Sequence, residues 1–285
     1  MKKVIKKTLK RLKSLLSKKI AVPYPILEGN LLQGRVALIT GGSSGIGYSI
    51  AESFLKNGCS CIIVGRNENK LNEAKRKLQK YTSKGNFVEY SVLDISKVEI
   101  IEEKFNNIIQ KFNIQIDIFV NNAGIQMGSS IGKTKIEDFE KVIKTNIEGT
   151  FFMSQVIINY MIKNKIKGNI LNVLSSSSIR PAVNPYAISK WGEAGLALGM
   201  AKKCIEYGIV VNSIAPGPTA TPMLISNEKN KDITNKNAPT GRYIMPEEIA
   251  NMSTVLVSDI GKMIVGDTIY MTGGAGVITY DDIEY

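Results

Sequence analysis

From Arg35 onward the chain alternates short β-branched, apolar runs with longer stretches whose apolar positions recur every three to four residues. That alternation is the mark of a parallel sheet covered by helices, because βαβ crossovers bury such strands on both sides. The pattern predicts strands over 36–40, 60–64, 87–93, 116–121, 169–174, 209–214 and 268–271. Helices are predicted over 46–56, 68–81, 97–112, 136–164, 186–207 and 247–258. Residues 219–245 fit neither period; they are rich in Asn, Lys, Thr and Pro and read as a lid between the sixth strand and the last helix.

The N-terminus follows a different pattern. As a helix, residues 3–20 place Val4, Ile5, Leu9, Leu12, Leu15, Leu16 and Ile20 on one stripe, with most of the Lys and Arg side chains opposite. The apolar run is too short to span a bilayer and has no compact signal-peptide core, and Pro23 and Pro25 end the helix. The chain therefore divides into a basic amphipathic helix (1–22), a linker (23–33) and a single domain (34–285). Two readings of the helix stand. It lies peripherally on the inner face of a membrane, gaining about 1 kcal/mol per basic residue near anionic lipid, or it packs on the protein itself or a partner subunit. On the membrane reading the full chain sediments with anionic vesicles and loses this when residues 1–22 are deleted; unchanged sedimentation rejects that reading.

Composition narrows the chemistry. With 285 residues, 44% of them hydrophobic, the chain has ample material for a core, which excludes disorder throughout. Net charge is +12, but nine of the basic residues, and no acid, fall in residues 1–20. The remainder is nearly balanced, so the domain is no nucleic-acid surface. The chain has no histidine, which removes imidazole zinc sites and every Ser-His or Cys-His nucleophile, and no metal-ligand cluster is evident. Three cysteines, Cys59, Cys61 and Cys204, make an odd count that favours a reducing, cytoplasmic setting.

Two motifs carry chemistry. Thr40 to Gly47 is a glycine-rich turn that follows a strand and opens a helix, where Gly41, Gly45 and Gly47 permit a tight turn and the helix N-terminus offers N–H groups to a pyrophosphate. Ser43, Ser44 and Ile46 lie within it. At the end of the second predicted strand stands Arg66 with no acid beside it; an arginine fork suits the 2'-phosphate of NADP(H), whereas NAD(H) calls for a carboxylate. The second motif is Tyr186 and Lys190, four apart and so on one helical face. A tyrosine, with an ordinary pKa near ~10, needs a neighbouring cation to act as a proton carrier.

The order and spacing of these motifs, with Asp94, Asn121-Asn122-Ala123-Gly124, Asn146, Ser175, Pro216-Gly217 and Gly273-Gly274, resemble the short-chain dehydrogenase/reductase family in its classical branch, over about residues 34–278. The resemblance implies an α/β, Rossmann-like doubly wound fold, with a seven-stranded parallel sheet and helices on both faces. It implies a nicotinamide cofactor contacted by Asp94 and Ile95 at the adenine, by Asn122, Ala123 and Gly124 along the adenosine side, and by Pro216, Gly217, Thr219 and Thr221 near the carboxamide. It also implies a catalytic group: Tyr186 as acid, Lys190 as its cationic partner and ribose contact, Ser175 as donor to the substrate oxygen, and Asn146 holding a relay water. Ser176, Ser177 and Ser178 rival Ser175, because the interval from Ser175 to the tyrosine is short. Homodimers or homotetramers are implied through the two long helices, with Gly192, Gly195 and Gly199 allowing close approach or packing against the sheet.

The expected activity is interconversion of a small-molecule carbonyl and a secondary alcohol. The substrate lining is expected from 126–131, 177–184 and 219–243, where Ile179, Pro181, Met223 and Tyr243 mix with polar residues. A sugar, a polyol or a lipid-related ketone fits; the alternatives are a 3-oxoacyl thioester reductase and a nucleotide-sensing scaffold without turnover. The scaffold is disfavoured because all four catalytic residue types are present, and the glycine spacing disfavours sugar epimerisation.

Overall fold

The computed structural model describes residues 28–83, 85–221 and 232–279. The N-terminal helix expected over 1–22, Met223 and most of the first half of the expected lid lie outside the described residues.

Seven strands form one sheet: β1 (Val36–Thr40), β2 (Ser60–Gly65), β3 (Val88–Val92), β4 (Ile118–Asn121), β5 (Asn169–Val173), β6 (Val210–Pro216) and β7 (Thr268–Met271). Their order is β3-β2-β1-β4-β5-β6-β7, and every pairing is parallel. Each strand was legible as an apolar run, with ends differing by a residue or two. The helices are α1 (Gly45–Lys56), α2 (Glu68–Leu78), α3 (Ile101–Phe112), α4 (Ile136–Val142), α5 (Thr150–Lys163), α6 (Pro185–Cys204) and α7 (Pro246–Val257).

Strand side chains alternate between two cores. Ala37, Ile39, Cys61 and Ile63 face α1, α2 and α7 in one, while Leu38, Ile62 and Val64 face α3, α5 and α6 in the other. Cys59 and Cys61 share the first core, as the two-residue period requires, and all three cysteines are free and buried. The chain order reverses between β1 and β4, and in such sheets the crevice outside the strand C-termini at that point receives ligands.

The single helix expected over 136–164 is interrupted. Between α4 and α5 the backbone widens into a π turn, Ile143–Gly149, carrying Asn146. Asn146 is fully buried, and both ends of its amide bind one backbone unit: Oδ1 accepts from Ile125 N at 2.8 Å and Nδ2 donates to Ile125 O at 2.9 Å. Gly149 closes the turn against β3's outgoing loop, where a Cβ would stand 2.6 Å from Ile95 O. The helix thus gives up regular spacing where its neighbours approach most closely.

Among the described residues no helix is long and apolar enough to cross a membrane. Helices α5 and α6 expose Phe151, Phe152, Trp191 and Leu198. Of the three glycines on α6, Gly192 packs toward Ile147, whereas a Cβ on Gly195 or Gly199 would meet nothing within 4 Å.

Candidate active site

At the C-terminal ends of β1, β2, β4 and β5 lies a cavity of about 380 Å³. Its floor is the glycine turn. Gly41 and Gly45 take φ of 66° and 56°, conformations that side chains resist, and a Cβ on Gly41 would stand 2.8 Å from Asn122 Nδ2. Ser44 precedes α1 in an extended conformation and makes no side-chain cap, and the first turn carries no acid. The N–H groups opening α1 are therefore left to whatever occupies the cavity, a setting that suits an anionic pyrophosphate.

Thr40 and Asn122 hold the turn to β4. Thr40 Oγ1 accepts from the N–H groups of Asn122 at 3.0 Å and Ala123 at 3.1 Å, while Asn122 Nδ2 donates to Thr40 O at 2.9 Å and Gly41 O at 3.2 Å. Gly47 belongs to this packing: a Cβ there would lie 2.5 Å from Asn122 Nδ2 and 2.6 Å from Gly41 O.

Of the residues expected to touch a dinucleotide, Gly41, Ser43, Ser44, Gly45 and Ile46 line the cavity, as do Arg66, Asp94, Ile95, Asn122, Ala123, Gly124 and Thr221. Gly47, Pro216, Gly217 and Thr219 do not; Thr219 is buried and its hydroxyl donates to Gly217 O at 2.9 Å. Asp94 Oδ1 accepts from Ser96 N at 3.1 Å and Ser96 Oγ at 2.8 Å. Arg66 is exposed at the end of β2, and the cavity wall beside it carries Asn67 and Lys70, which the sequence reading had not singled out. Asn67 caps α2 by accepting from Lys70 N at 3.0 Å. A basic residue one turn after an arginine at a strand end was the available signal for Lys70.

Tyr186 and Lys190 line the opposite end, the ammonium 5.8 Å from the phenol ring centre. Asn184 caps α6 by accepting from Ala187 N, and Pro185 follows in the first turn, so the helix starts just ahead of the tyrosine. Lys190 is buried; its Nζ donates to Val173 O at 3.2 Å and to Glu193 Oε2 at 2.8 Å. Burial disfavours the ammonium, but the charges of Glu193 and Tyr186 and the Glu193 hydrogen bond outweigh it and hold the pKa above the usual lysine value. Glu193 was not singled out from the sequence; its signal was a carboxylate in a helical stripe that, Lys190 apart, is made of small and apolar residues.

Asn146 and Ser175 are not among the residues that line the cavity. Asn146 Nδ2 donates to Ser189 Oγ at 3.0 Å, so its side chain is spent on Ile125 and Ser189. Ser175 closes β5 immediately after Val173 and Leu174, which do line the cavity. Its oxygen accepts from Ser177 N at 3.1 Å, while Ser178 donates to Ser175 O at 2.7 Å. Among the expected lining segments, 126–131 and 177–184 are joined by Ile131 N donating to Val183 O at 2.8 Å.

A doubly wound sheet whose glycine turn faces a Tyr/Lys pair across one cavity defines a dinucleotide-dependent oxidoreductase. The profile of the family described as short chain dehydrogenase matches residues 35–232. The 3-oxoacyl-[acyl-carrier-protein] reductase FabG of Thermotoga maritima is 34% identical over 246 residues, covering 85% of this chain and 98% of that protein. Levodione reductase superposes with a TM-score of 0.79 at 28% identity, over 87% of this chain and 100% of that one. An actinorhodin polyketide ketoreductase solved with NADPH gives 0.77 at 28% identity, over 85% and 97%. The chain belongs to the short-chain dehydrogenase family, and it is an NAD(P)-dependent oxidoreductase acting between C=O and CH–OH groups.

Proposed function

We propose that the protein is an NADP(H)-dependent reductase of a 3-oxoacyl thioester, with Tyr186 as the proton donor. The observation that carries this reading is the cavity itself, with Arg66 and Lys70 at one end and Tyr186 with Lys190 at the other. Two cations at the β2 terminus, where Gly65, Arg66 and Asn67 bring no carboxylate of their own, suit a 2'-phosphate. The neighbour solved with NADPH supports the same cofactor, and the relative named 3-oxoacyl-[acyl-carrier-protein] reductase supports a 3-oxoacyl substrate. For the substrate, the loop that leads away from Gly124 exposes Met127 and Ile131, apolar groups better matched to an acyl chain than to a sugar or polyol.

When bound, the dinucleotide supplies a hydride to the carbonyl carbon. Tyr186 gives its proton to the carbonyl oxygen, so that carbonyl, hydride and proton sum to the alcohol. Lys190 keeps a positive charge beside the phenol and would hold a ribose hydroxyl of the bound dinucleotide. Ser175 donates to the substrate oxygen; its own oxygen already accepts from Ser177 N, which leaves the proton to give. Asn146 holds the Ile125 backbone that edges the cavity, and through it the relay.

In this reading the region around 219–245 closes over the substrate. Its far end is anchored where Arg242 grips Glu248 through two bonds of 2.7 Å. A second copy covers the exposed apolar face of α5 and α6, where Gly195 and Gly199 leave room, and light scattering reads that state directly. The protein works in the cytoplasm, at the membrane's inner face if residues 1–22 bind lipid. The test of the activity is NADPH oxidation with acetoacetyl-coenzyme A, a ketose and a sugar phosphate in parallel. Turnover confined to the thioester is the expected result; turnover confined to the sugars overturns the substrate assignment.

A further inference from the structure

We propose that Glu193 is a positioning residue that biases the Tyr186–Lys190 pair toward its protonated, carbonyl-reducing form. The inference rests on the proposed role of Tyr186 and adds a residue that sets its direction.

Glu193 stands one turn beyond Lys190 on α6, and the two side chains are only 6% and 7% exposed, with Oε2 2.8 Å from Nζ. The other buried positions along this part of the helix are Ser189, Ala197, Met200, Ala201 and Cys204. Besides Lys190 itself, only Glu193 breaks that small and apolar stripe. Its second oxygen, Oε1, is buried with no hydrogen-bond partner. A buried carboxylate with half its capacity unmet is a poor way to stabilise a helix, and an apolar side chain of similar volume does that better. What the carboxylate adds is charge.

Lys190 favours the phenolate of Tyr186 only as far as its positive charge is left uncompensated. Burial pushes the Glu193 carboxyl up and Lys190 pulls it down; ionised in the alkaline range where a phenol titrates, it turns that ammonium into one end of an ion pair at 2.8 Å and offsets its field at the phenol. The Tyr186–Lys190 pair therefore holds its proton to higher pH, which suits proton donation to a carbonyl and works against alcohol oxidation. Few other charges intervene. Lys190 feels Glu193 and Tyr186, and Glu193 feels Lys190 alone, among the described groups. Strand β6, packed along α6, carries no ionisable side chain. The 3-10 turn Ser176–Ile179 carries none either, and Arg180, just beyond it, turns toward Gly276. On the π turn Lys144 is exposed and Glu148 half-buried. On α4 Glu137, Glu140 and Lys141 are exposed and Asp138 half-buried, and on α5 Tyr160 faces Phe105 while Lys163 is exposed.

The sign follows from charge alone. Removing a negative charge next to the pair makes its first proton leave at lower pH, whichever of the two groups carries it. The experiment follows the ultraviolet phenolate band against pH in the full-length protein and in Glu193→Gln, each corrected by its Tyr186→Phe counterpart, together with pH profiles of turnover. In Glu193→Gln the Tyr186 phenolate is expected to form about one pH unit lower, which is about tenfold more phenolate at a given pH. The alkaline fall of carbonyl reduction and the rise of alcohol oxidation shift down by the same amount. Glu193→Asp, which keeps the charge, restores most of the original profile. Profiles that coincide in the original protein and Glu193→Gln, with unchanged circular dichroism, overturn the proposal. Should Glu193→Gln not fold, Glu193→Leu supplies the same comparison without an unmet polar group, and a phenolate titration there identical to the original's rejects the idea equally. Because the phenolate signal needs no substrate, a failure of the thioester assay leaves this result readable.

Discussion

Tyr186→Phe is expected to lower turnover about 10²–10⁴-fold while leaving NADPH binding within a few-fold, because it deletes one hydroxyl and little of the cavity wall. The phenol is the acid that completes the alcohol, and among the described residues no carboxylic acid lines its end of the cavity. Stopped-flow or steady-state NADPH oxidation, with binding read separately by fluorescence, distinguishes the two effects. A serine scan completes the picture. Ser175→Ala is expected to lose about 10²-fold in kcat, in the range seen for a donor to a developing oxyanion. Ser176→Ala, Ser177→Ala and Ser178→Ala are expected to stay near the original rate. A larger loss at Ser177 would move the donor along the turn, since its N–H already binds the Ser175 oxygen.

Arg66→Asp carries the second large effect, on the cofactor. A charge-assisted hydrogen bond is worth about 1.5–3 kcal/mol, so losing the guanidinium and adding a carboxylate is expected to raise the KM for NADPH at least ~10-fold. The same change supplies an acceptor for ribose hydroxyls and is expected to improve use of NADH. Lys70 remains beside the site and tempers the loss, so Arg66→Asp with Lys70→Ala shows the fuller switch. An NADPH KM unchanged in Arg66→Asp would mean that the arginine faces solvent or stacks on adenine and reads no phosphate.

The sheet was legible because its signal is dense: runs such as Val36-Ala37-Leu38-Ile39 and Cys61-Ile62-Ile63-Val64 must be buried on both faces. The glycine turn and the Tyr186/Lys190 spacing were legible because they are local, and the strand–turn–helix context fixes where they point. What stayed hidden depends on neighbours distant in sequence. The π turn leaves the apolar periodicity of 136–164 intact, and it exists because Asn146 binds Ile125 and Gly149 meets Ile95. Lys70 looks like any solvent-facing residue in a first helical turn until β2 and the cavity are placed beside it. Gly47 reads as a ligand contact from its motif, yet the packing of Gly41 and Asn122 accounts for its missing side chain. Glu193 is the instructive omission, because a carboxylate three residues after a lysine usually marks a solvated helix face, and only burial gives the pair its meaning.

The most direct test of the account is NADPH consumption by the full-length protein with acetoacetyl-coenzyme A, run beside Tyr186→Phe under the same conditions. The expected result is consumption matched one-for-one by the 3-hydroxyacyl product, and its near-complete loss in the variant with cofactor binding retained. Thioester reduction that persists undiminished in Tyr186→Phe, or no consumption with any carbonyl compound by a folded protein that binds NADPH, would contradict it.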